Sequence, residues 1–373
     1  MSSPENLENV RPVDAAAGGT DGDDVKGLSQ GAIVRKRFRG HTGAMVSIVV
    51  LAFVVILAIT SIGLGPIPGW WKYGYAGKIP TLVDGGRPSL QLWPFSLGEH
   101  PFGQDSVGRD YFAMTMRGIQ ISLFITVVVG AIAAFVGVVI GACSGYFRGK
   151  VETVLMRFTD VIIIIPALVA AAVVGQNASD GGVLLLGVFL GLVSWTGMAR
   201  LTRGDFLTLR EREFVDAARL AGASNNRIIF KHILPNAVGV ITVNTTLLMS
   251  AAILTETALS YLGFGVQAPD TSLGKLISEN QAAFSTRPWL FWFPGIFIIV
   301  ICLCINFIGD GLRDAFDPRQ KKISLRRVAD TGEAERRREA NARIVSEAGA
   351  TTSGPPRPLD QRSSGFGIGG LGS

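Results

Sequence analysis

Long apolar runs alternate with polar segments along this chain, and each run approaches the length of a membrane-spanning helix. A bilayer core needs about 20 mostly apolar residues in one helix. Six stretches fit this description approximately: Ala44–Leu64, Gly118–Cys143, Val161–Gln176, Val183–Arg200, Ala237–Ala258 and Trp289–Ile308. The third and fourth are the weakest, because their apolar stretches are short. The pattern predicts an all-α integral membrane protein with six transmembrane helices.

Composition and charge support this reading. The chain is 48% hydrophobic and 17% charged, whereas soluble domains carry roughly 25% charged residues. If the N-terminus lies inside, six spans place residues 1–43, 144–160, 200–235 and 309–373 in the cytoplasm. These segments hold 28 of the 35 Lys and Arg residues. Such a bias orients membrane helices, so we expect an N-in/C-in protein and no nucleic-acid partner, despite the net charge of +6.

The polar segments give the chain its predicted organisation. Residues 1–30 are rich in Gly, Asp and Ala and are expected to be disordered, as are residues 321–373, a cytoplasmic tail. Residues 31–43 form a basic segment that should lie along the inner membrane surface. The transmembrane domain covers 44–320, and its first outer loop, 65–117, carries Trp and Tyr residues suited to the membrane interface.

The most informative polar segment is Glu211–Asn236, between predicted spans four and five. One short helix, Glu213–Ala221, should end at Gly222, a residue suited to the left-handed C-cap position. Ser224 can cap a second helix, Asn225–Ile233, before Pro235 opens span five. The first helix carries Ala217, Ala218 and Ala221. Such a low-profile helix can insert into a groove on a partner.

This segment resembles the EAA loop of ATP-binding-cassette importer permeases, which here would cover 204–235. The resemblance rests on Asp216-Ala217-Ala218, Gly222 and Leu234-Pro235 at the family's spacing. Asp216 stands where Glu is usual, and His232 stands at an Ile position. The resemblance implies that the following residues couple the chain to an ATPase: Asp216, Ala217, Ala218, Gly222, Ala223, His232, Leu234 and Pro235.

Other blocks resemble the second permease of dipeptide and oligopeptide importers, a branch that also contains nickel importers. They include His100-Pro101-Phe102-Gly103 and Gly108-Arg109-Asp110 in the outer loop, and Leu259 to Gly265 after span five. Met114 and Gln120 stand where that branch usually carries Arg. Arg117, one helical turn from both, is a candidate for the missing basic contact.

The resemblance implies a multi-pass protein of the bacterial inner (plasma) membrane that forms half of a translocation pathway for peptides. Its expected partners are a homologous second permease in a heterodimer, two cytoplasmic ATPase subunits or domains that hold ATP-Mg, an extracytoplasmic substrate-binding protein, and membrane lipid. Nickel or another small solute is the alternative substrate. This chain itself is expected to bind no cofactor or metal and to be no enzyme. Its nearest approach to a phosphate-binding loop, Gly145 to Gly149-Lys150, is one residue too short and continues with Val151.

One acidic residue falls inside a predicted span. A carboxylate in lipid costs about 2.5 kcal/mol or more, so Glu256 must face protein or water. On a helical projection Asn244, Thr245, Thr255 and Glu256 lie within an arc of about 120°, and they could line the pathway. Alternatively, Glu256 caps or pairs near the outer interface.

An ion-driven secondary transporter is the rival function, but such a protein is expected to carry further charged residues inside its spans and internal repeats between its halves. A membrane-anchored interaction protein is a third possibility, favoured only by the tails.

Overall fold

The structure is a computed structural model, and it describes residues 30–77, 82–177 and 182–316. Both tails that were predicted to be disordered lie outside these residues, apart from Gln30. Helices dominate the described part, in the following order: α1 Gln30–Arg39, α2 Thr42–Ile62, α3 Tyr111–Phe147, α4 Gly149–Ile164, α5 Ala167–Asn177, α6 Gly182–Arg210, α7 Glu213–Leu220, α8 Asn225–Arg227, α9 Leu234–Tyr261, α10 Leu273–Asn280 and α11 Trp289–Phe316. A π-helical stretch, Ile228–Ile233, joins α8 to α9.

Within the described residues, five continuous helical stretches are long and apolar enough to cross a membrane: α2, α3, α6, Asn225–Tyr261 and α11. The predicted third span is instead a broken pair, because α4 and α5 meet at an angle of 73°. Proline has no N–H, and it keeps the residue before it out of the helical region. Ile165 accordingly has an extended ψ of 117°. Pro166 therefore accounts for the break between α4 and α5.

Helices α3 and α6 pack closely along their small residues. A Cβ placed on Gly137 would come within 2.6 Å of Met198 Cβ, and one on Gly141 within 2.5 Å of the Ala199 carbonyl oxygen. From the other side, a Cβ on Gly191 would lie 2.8 Å from Ile132 Cβ. Small residues stand at every fourth position of α3, at Ala133, Gly137, Gly141 and Gly145, and α6 fills the groove that they leave.

The outer loop contains short strands, which corrects the all-α prediction for this segment. Strands Gly63–Leu64 and Ile67–Pro68 form one antiparallel pair, and Gln91–Leu92 and Phe95–Ser96 form another. A short 3-10 turn, Val83–Gly86, lies between them.

Aromatic packing holds the outer loop against α11. The ring of Phe102 stacks on Phe293, with centroids 4.0 Å apart. Phe102 belongs to the same buried cluster as Tyr111, Leu290 and Ile301. The loop is thus part of a core shared with α3 and α11.

The two positions where the related branch usually carries Arg are buried. Met114 is 2% exposed, and Gln120 Nε2 donates to the carbonyl oxygens of Ala58 and Gly63 at 2.7 and 2.8 Å. Arg117 lies between them and pairs with Asp270 at 2.6 Å. Its predicted role as a substitute for the missing basic contact stays a prediction.

Candidate functional site

Helix α7 ends as its sequence predicts. Glu213 and Asp216 lie in its first turn, where negative charge suits the helix dipole. The N–H of Ala223 donates to Ala218 O at 3.0 Å, and that of Gly222 donates to Arg219 O at 2.9 Å. These two bonds form a Schellman cap, which needs a left-handed residue. Gly222 supplies it with φ of +77°.

The inner face of α7 is anchored to the ends of two long helices. Val215 is fully buried in a cluster with Tyr146 of α3, Phe206 of α6, and Ile228 and Ile233. Ala218 and Ala223, the two residues bonded across the cap, pack against the same cluster. A displacement of α7 must therefore displace the ends of α3 and α6 or break this core.

The opposite face of α7 is open. Leu220 is 91% exposed, Phe214 is 39% exposed, and Ala217 and Ala221 are also exposed. Asp216 lies on this open side and pairs with Arg219 at 3.0 Å. The result is a mainly apolar surface that is narrow at Ala217, where the side chain is small. A groove on another protein can receive a surface of this shape.

Two boundaries predicted for this segment are wrong. The loop was expected to begin at 204, but α6 continues to Arg210. The second short helix was expected to end before Pro235, but helix runs without a break over Asn225–Tyr261. Pro235 lies in the first turn of α9, directly after the π-helical stretch.

The remaining predicted coupling residues lie along this continuous stretch. His232 and Leu234 are half-buried, and Pro235 is exposed. The carbonyl oxygen of His232 accepts a hydrogen bond from Asn236 Nδ2 at 2.7 Å. The chain is thus helical from Asn225 into α9, and the four-residue turn 221–224 joins α7 to this stretch.

Polar contacts that the sequence analysis missed brace the same end of the molecule. Tyr146 OH donates to Asn225 Oδ1 at 2.8 Å, and Arg210 Nη1 donates to Tyr146 O at 2.5 Å. Arg203 pairs with Glu152, which joins α6 to α4. No sequence pattern marks these residues, because their partners lie 51 to 79 positions away along the chain.

The four candidate pathway residues do not share one environment. Asn244, Thr245 and Thr255 are half-buried, and each hydrogen-bonds to a carbonyl one turn back in α9. Glu256 is fully buried. The pathway assignment of the first three stays a prediction, whereas Glu256 lies inside the subunit in this conformation.

Hydroxyl groups surround the carboxyl group of Glu256. Ser260 Oγ donates to Oε1 at 2.7 Å, and Ser122 Oγ of α3 donates to Oε2 at 3.2 Å. Ser260 Oγ also lies 3.2 Å from Ser272 Oγ, the cap of α10, and Ser122 Oγ accepts from Leu273 N at 3.3 Å. The group therefore ties α3, α9 and α10 together.

Comparisons with known proteins agree on one family. The model of the binding-protein-dependent transport system inner membrane component matches residues 137–322, and that of the N-terminal TM domain of oligopeptide transport permease C matches residues 29–80. Two similar curated proteins are oligopeptide transport system permease proteins OppC. The one from Haemophilus influenzae is 34% identical over 86% of this chain and 98% of its own length. The one from Escherichia coli K12 is 36% identical over 80% and 94%.

A solved structure is also similar in part. An inward-facing form of the MetNI methionine ABC transporter matches 55% of this chain and 96% of its own chain, with 17% identity and a TM-score of 0.47.

Proposed function

The chain belongs to the oligopeptide transport permease C family, and on that premise we propose that it forms half of the translocation pathway of an ATP-driven oligopeptide importer. In this proposal it is a multi-pass protein of the bacterial inner membrane with six spans, α4 and α5 together making the third. Both termini lie inside, as the distribution of Lys and Arg favours. The likeness to proteins named oligopeptide permeases supports the substrate class.

Other chains complete the transport complex. A homologous second permease supplies the other half of the pathway, and an external binding protein delivers the peptide. Two ATPase subunits or domains hold ATP-Mg and receive α7 in a groove. This chain hydrolyses nothing; it supplies the pathway and the coupling.

One observation carries the coupling role, namely that α7 is open on one face and anchored on the other. Leu220 and Phe214 are exposed, whereas Val215 is fully buried against Tyr146 and Phe206. A partner that grips the open face moves the ends of α3, α6 and α9 together. Closure of the ATPases would thereby rock the membrane helices between inward-open and outward-open states.

The test uses the whole complex in vesicles. Ala217→Arg places a long charged side chain on the exposed, narrow part of α7 and does not change the buried cluster. Peptide uptake should fall at least tenfold while the complex still assembles, and ATP hydrolysis should no longer respond to the loaded binding protein. Ala217→Ser keeps the low profile and serves as the matched control. Unimpaired uptake by the assembled Arg variant would refute the coupling assignment.

A cross-linking experiment locates the partner independently. Leu220→Cys presents a thiol at a position of α7 that is 91% exposed. It should form a cross-link to an ATPase subunit, whereas Val215→Cys, at a buried position, should not. A cross-link from position 220 to the second permease instead would contradict the proposed docking surface.

A further inference from the structure

Helix α1 is a short basic element, and three of its four cations have no ion-pair partner in the described part of the chain. Four of its ten residues are Arg or Lys, and none is acidic. The side chains of Arg35, Lys36 and Arg39 are exposed. No ion pair or side-chain hydrogen bond within the described residues involves any of these three. The helix therefore presents net positive charge to whatever lies beside it.

These cations share one face. Arg35 and Arg39 are one turn apart, and Lys36 lies 100° from Arg35 around the helix. Like charges at this spacing weaken an isolated helix, so an external anion would stabilise it. Ile33 lies beside the basic face and is 39% exposed, which adds an apolar contact.

The neighbouring face, which carries Phe38, and His41 just after the helix fix α1 at the end of two membrane helices. A Cβ on Gly311 of α11 would lie 3.2 Å from Phe38 Cε2, so the ring sits directly on that helix. His41 Nδ1 accepts from Ala44 N at 3.0 Å and so caps α2, while Nε2 lies 3.4 Å from Asp314 of α11. Helix α1 is thus packed against α11, and two residues separate its end from the start of α2.

We propose that this basic face binds the headgroups of anionic phospholipids. The inference goes beyond peptide transport and requires only that α2 crosses a bilayer. Lipid fits better than a soluble polyanion because the cations are accompanied by an exposed apolar side chain and lie at the end of a span. Because Phe38 packs on α11, bound lipid would also hold the Gly311 end of that helix in place.

The experiment measures lipid preference in the purified whole complex. Labelled phosphatidylglycerol and phosphatidylcholine are titrated against the wild type and against Arg35→Gln/Lys36→Gln/Arg39→Gln. The preference for phosphatidylglycerol should fall about fivefold for each charge removed, and the wild-type preference should weaken as salt is raised. Arg35→Lys/Arg39→Lys, which keeps the charge, should behave as the wild type.

A second measurement separates lipid binding from a purely structural role of the charges. The thermal stability of the wild type and of the triple Gln variant is compared in vesicles of phosphatidylcholine alone and in vesicles that also contain phosphatidylglycerol. We expect the variant to be less stable than the wild type only in the vesicles that contain phosphatidylglycerol. Three results would each overturn the proposal. These are an equal loss of stability in both kinds of vesicle, an unchanged lipid preference in the triple Gln variant, and tighter binding of a soluble polyanion than of anionic vesicles by the wild type.

Discussion

His100 Nδ1 lies 2.7 Å from Asp110 Oδ2, and both side chains are buried. The same carboxylate accepts from Trp71 Nε1 at 3.0 Å and from the N–H of Ala113 at 2.8 Å, which caps α3. One acid therefore closes the outer loop on the first turn of a membrane helix. Two sequence blocks that carried the family resemblance, His100 to Gly103 and Gly108 to Asp110, meet at this contact.

Removal of this acid should destabilise the subunit. Asp110→Ala leaves the Trp71 and Ala113 donors and His100 without their partner, and a buried polar group left unsatisfied costs about 1–3 kcal/mol. Asp110→Asn keeps an oxygen for the cap, and Asn is as good an N-cap as Asp, so its loss should be smaller. Thermal unfolding of the purified complex measures both. Equal stability of the Ala variant and the wild type would contradict the structural role.

The contact between α3 and α6 gives a second prediction. In Gly141→Ala the new Cβ would lie 2.5 Å from the Ala199 carbonyl oxygen and 2.7 Å from Thr202 Cβ. The helices must separate, and such overpacking costs about 1–3 kcal/mol. Gly197→Ala in α6 is the matched control, because its Cβ meets nothing within 4 Å in this chain. Melting temperature should fall for the first variant only.

The cap of α7 gives a third prediction. Gly222 has φ of +77° with open space around it, so a side chain there is opposed by the backbone and not by a neighbour. A left-handed conformation costs an ordinary residue about 1–2 kcal/mol, and β-branched residues tolerate it least. Gly222→Val should uncouple hydrolysis from uptake, whereas Gly222→Asn should retain most uptake. Wild-type uptake per assembled complex in Gly222→Val would show that the left-handed cap is not required.

Local chemistry made α7 predictable, and long-range contacts made its anchoring unpredictable. Ala-rich sequence followed by Gly222 specifies a helix and its end, so the predicted range Glu213–Ala221 exceeds the observed one by a single residue. The continuous helix over Asn225–Tyr261 was missed because Pro235 suits both a new helix start and an early position in a continuing one. Hydropathy likewise detected only the apolar part of the α4–α5 pair, since α4 begins twelve residues before Val161.

The Gly spacing in α3 shows the same limit. A small residue at every fourth position marks a surface that another helix can approach closely, but it does not identify that helix. The identity of α6 depends on Met198, Ala199 and Thr202 lying opposite those glycines. That register is set by the whole bundle and leaves no mark in either segment alone.

Glu256 gives the last prediction. Its carboxyl group is fully enclosed and touches Ser122 and Ser260, so a direct contact with passing peptide is not available in this conformation. Glu256→Gln keeps the shape, and both serine hydroxyls can turn to accept as well as donate; assembly should survive with little change. Glu256→Ala leaves both hydroxyls without their acceptor and opens a cavity, which costs about 1–3 kcal/mol for the lost hydrogen bonds alone.

Transport assays with two substrates separate the two roles proposed for this acid. If Glu256 positions α10 through Ser260 and Ser272, uptake per assembled complex of Glu256→Ala should fall equally for a cationic and a neutral peptide. This fall should follow the loss of thermal stability. Ser122→Ala should reproduce part of the loss, because Leu273 N then loses its acceptor. A selective loss of cationic peptide uptake in Glu256→Gln, with stability unchanged, would instead mean that the carboxylate meets the pathway in another state of the transport cycle.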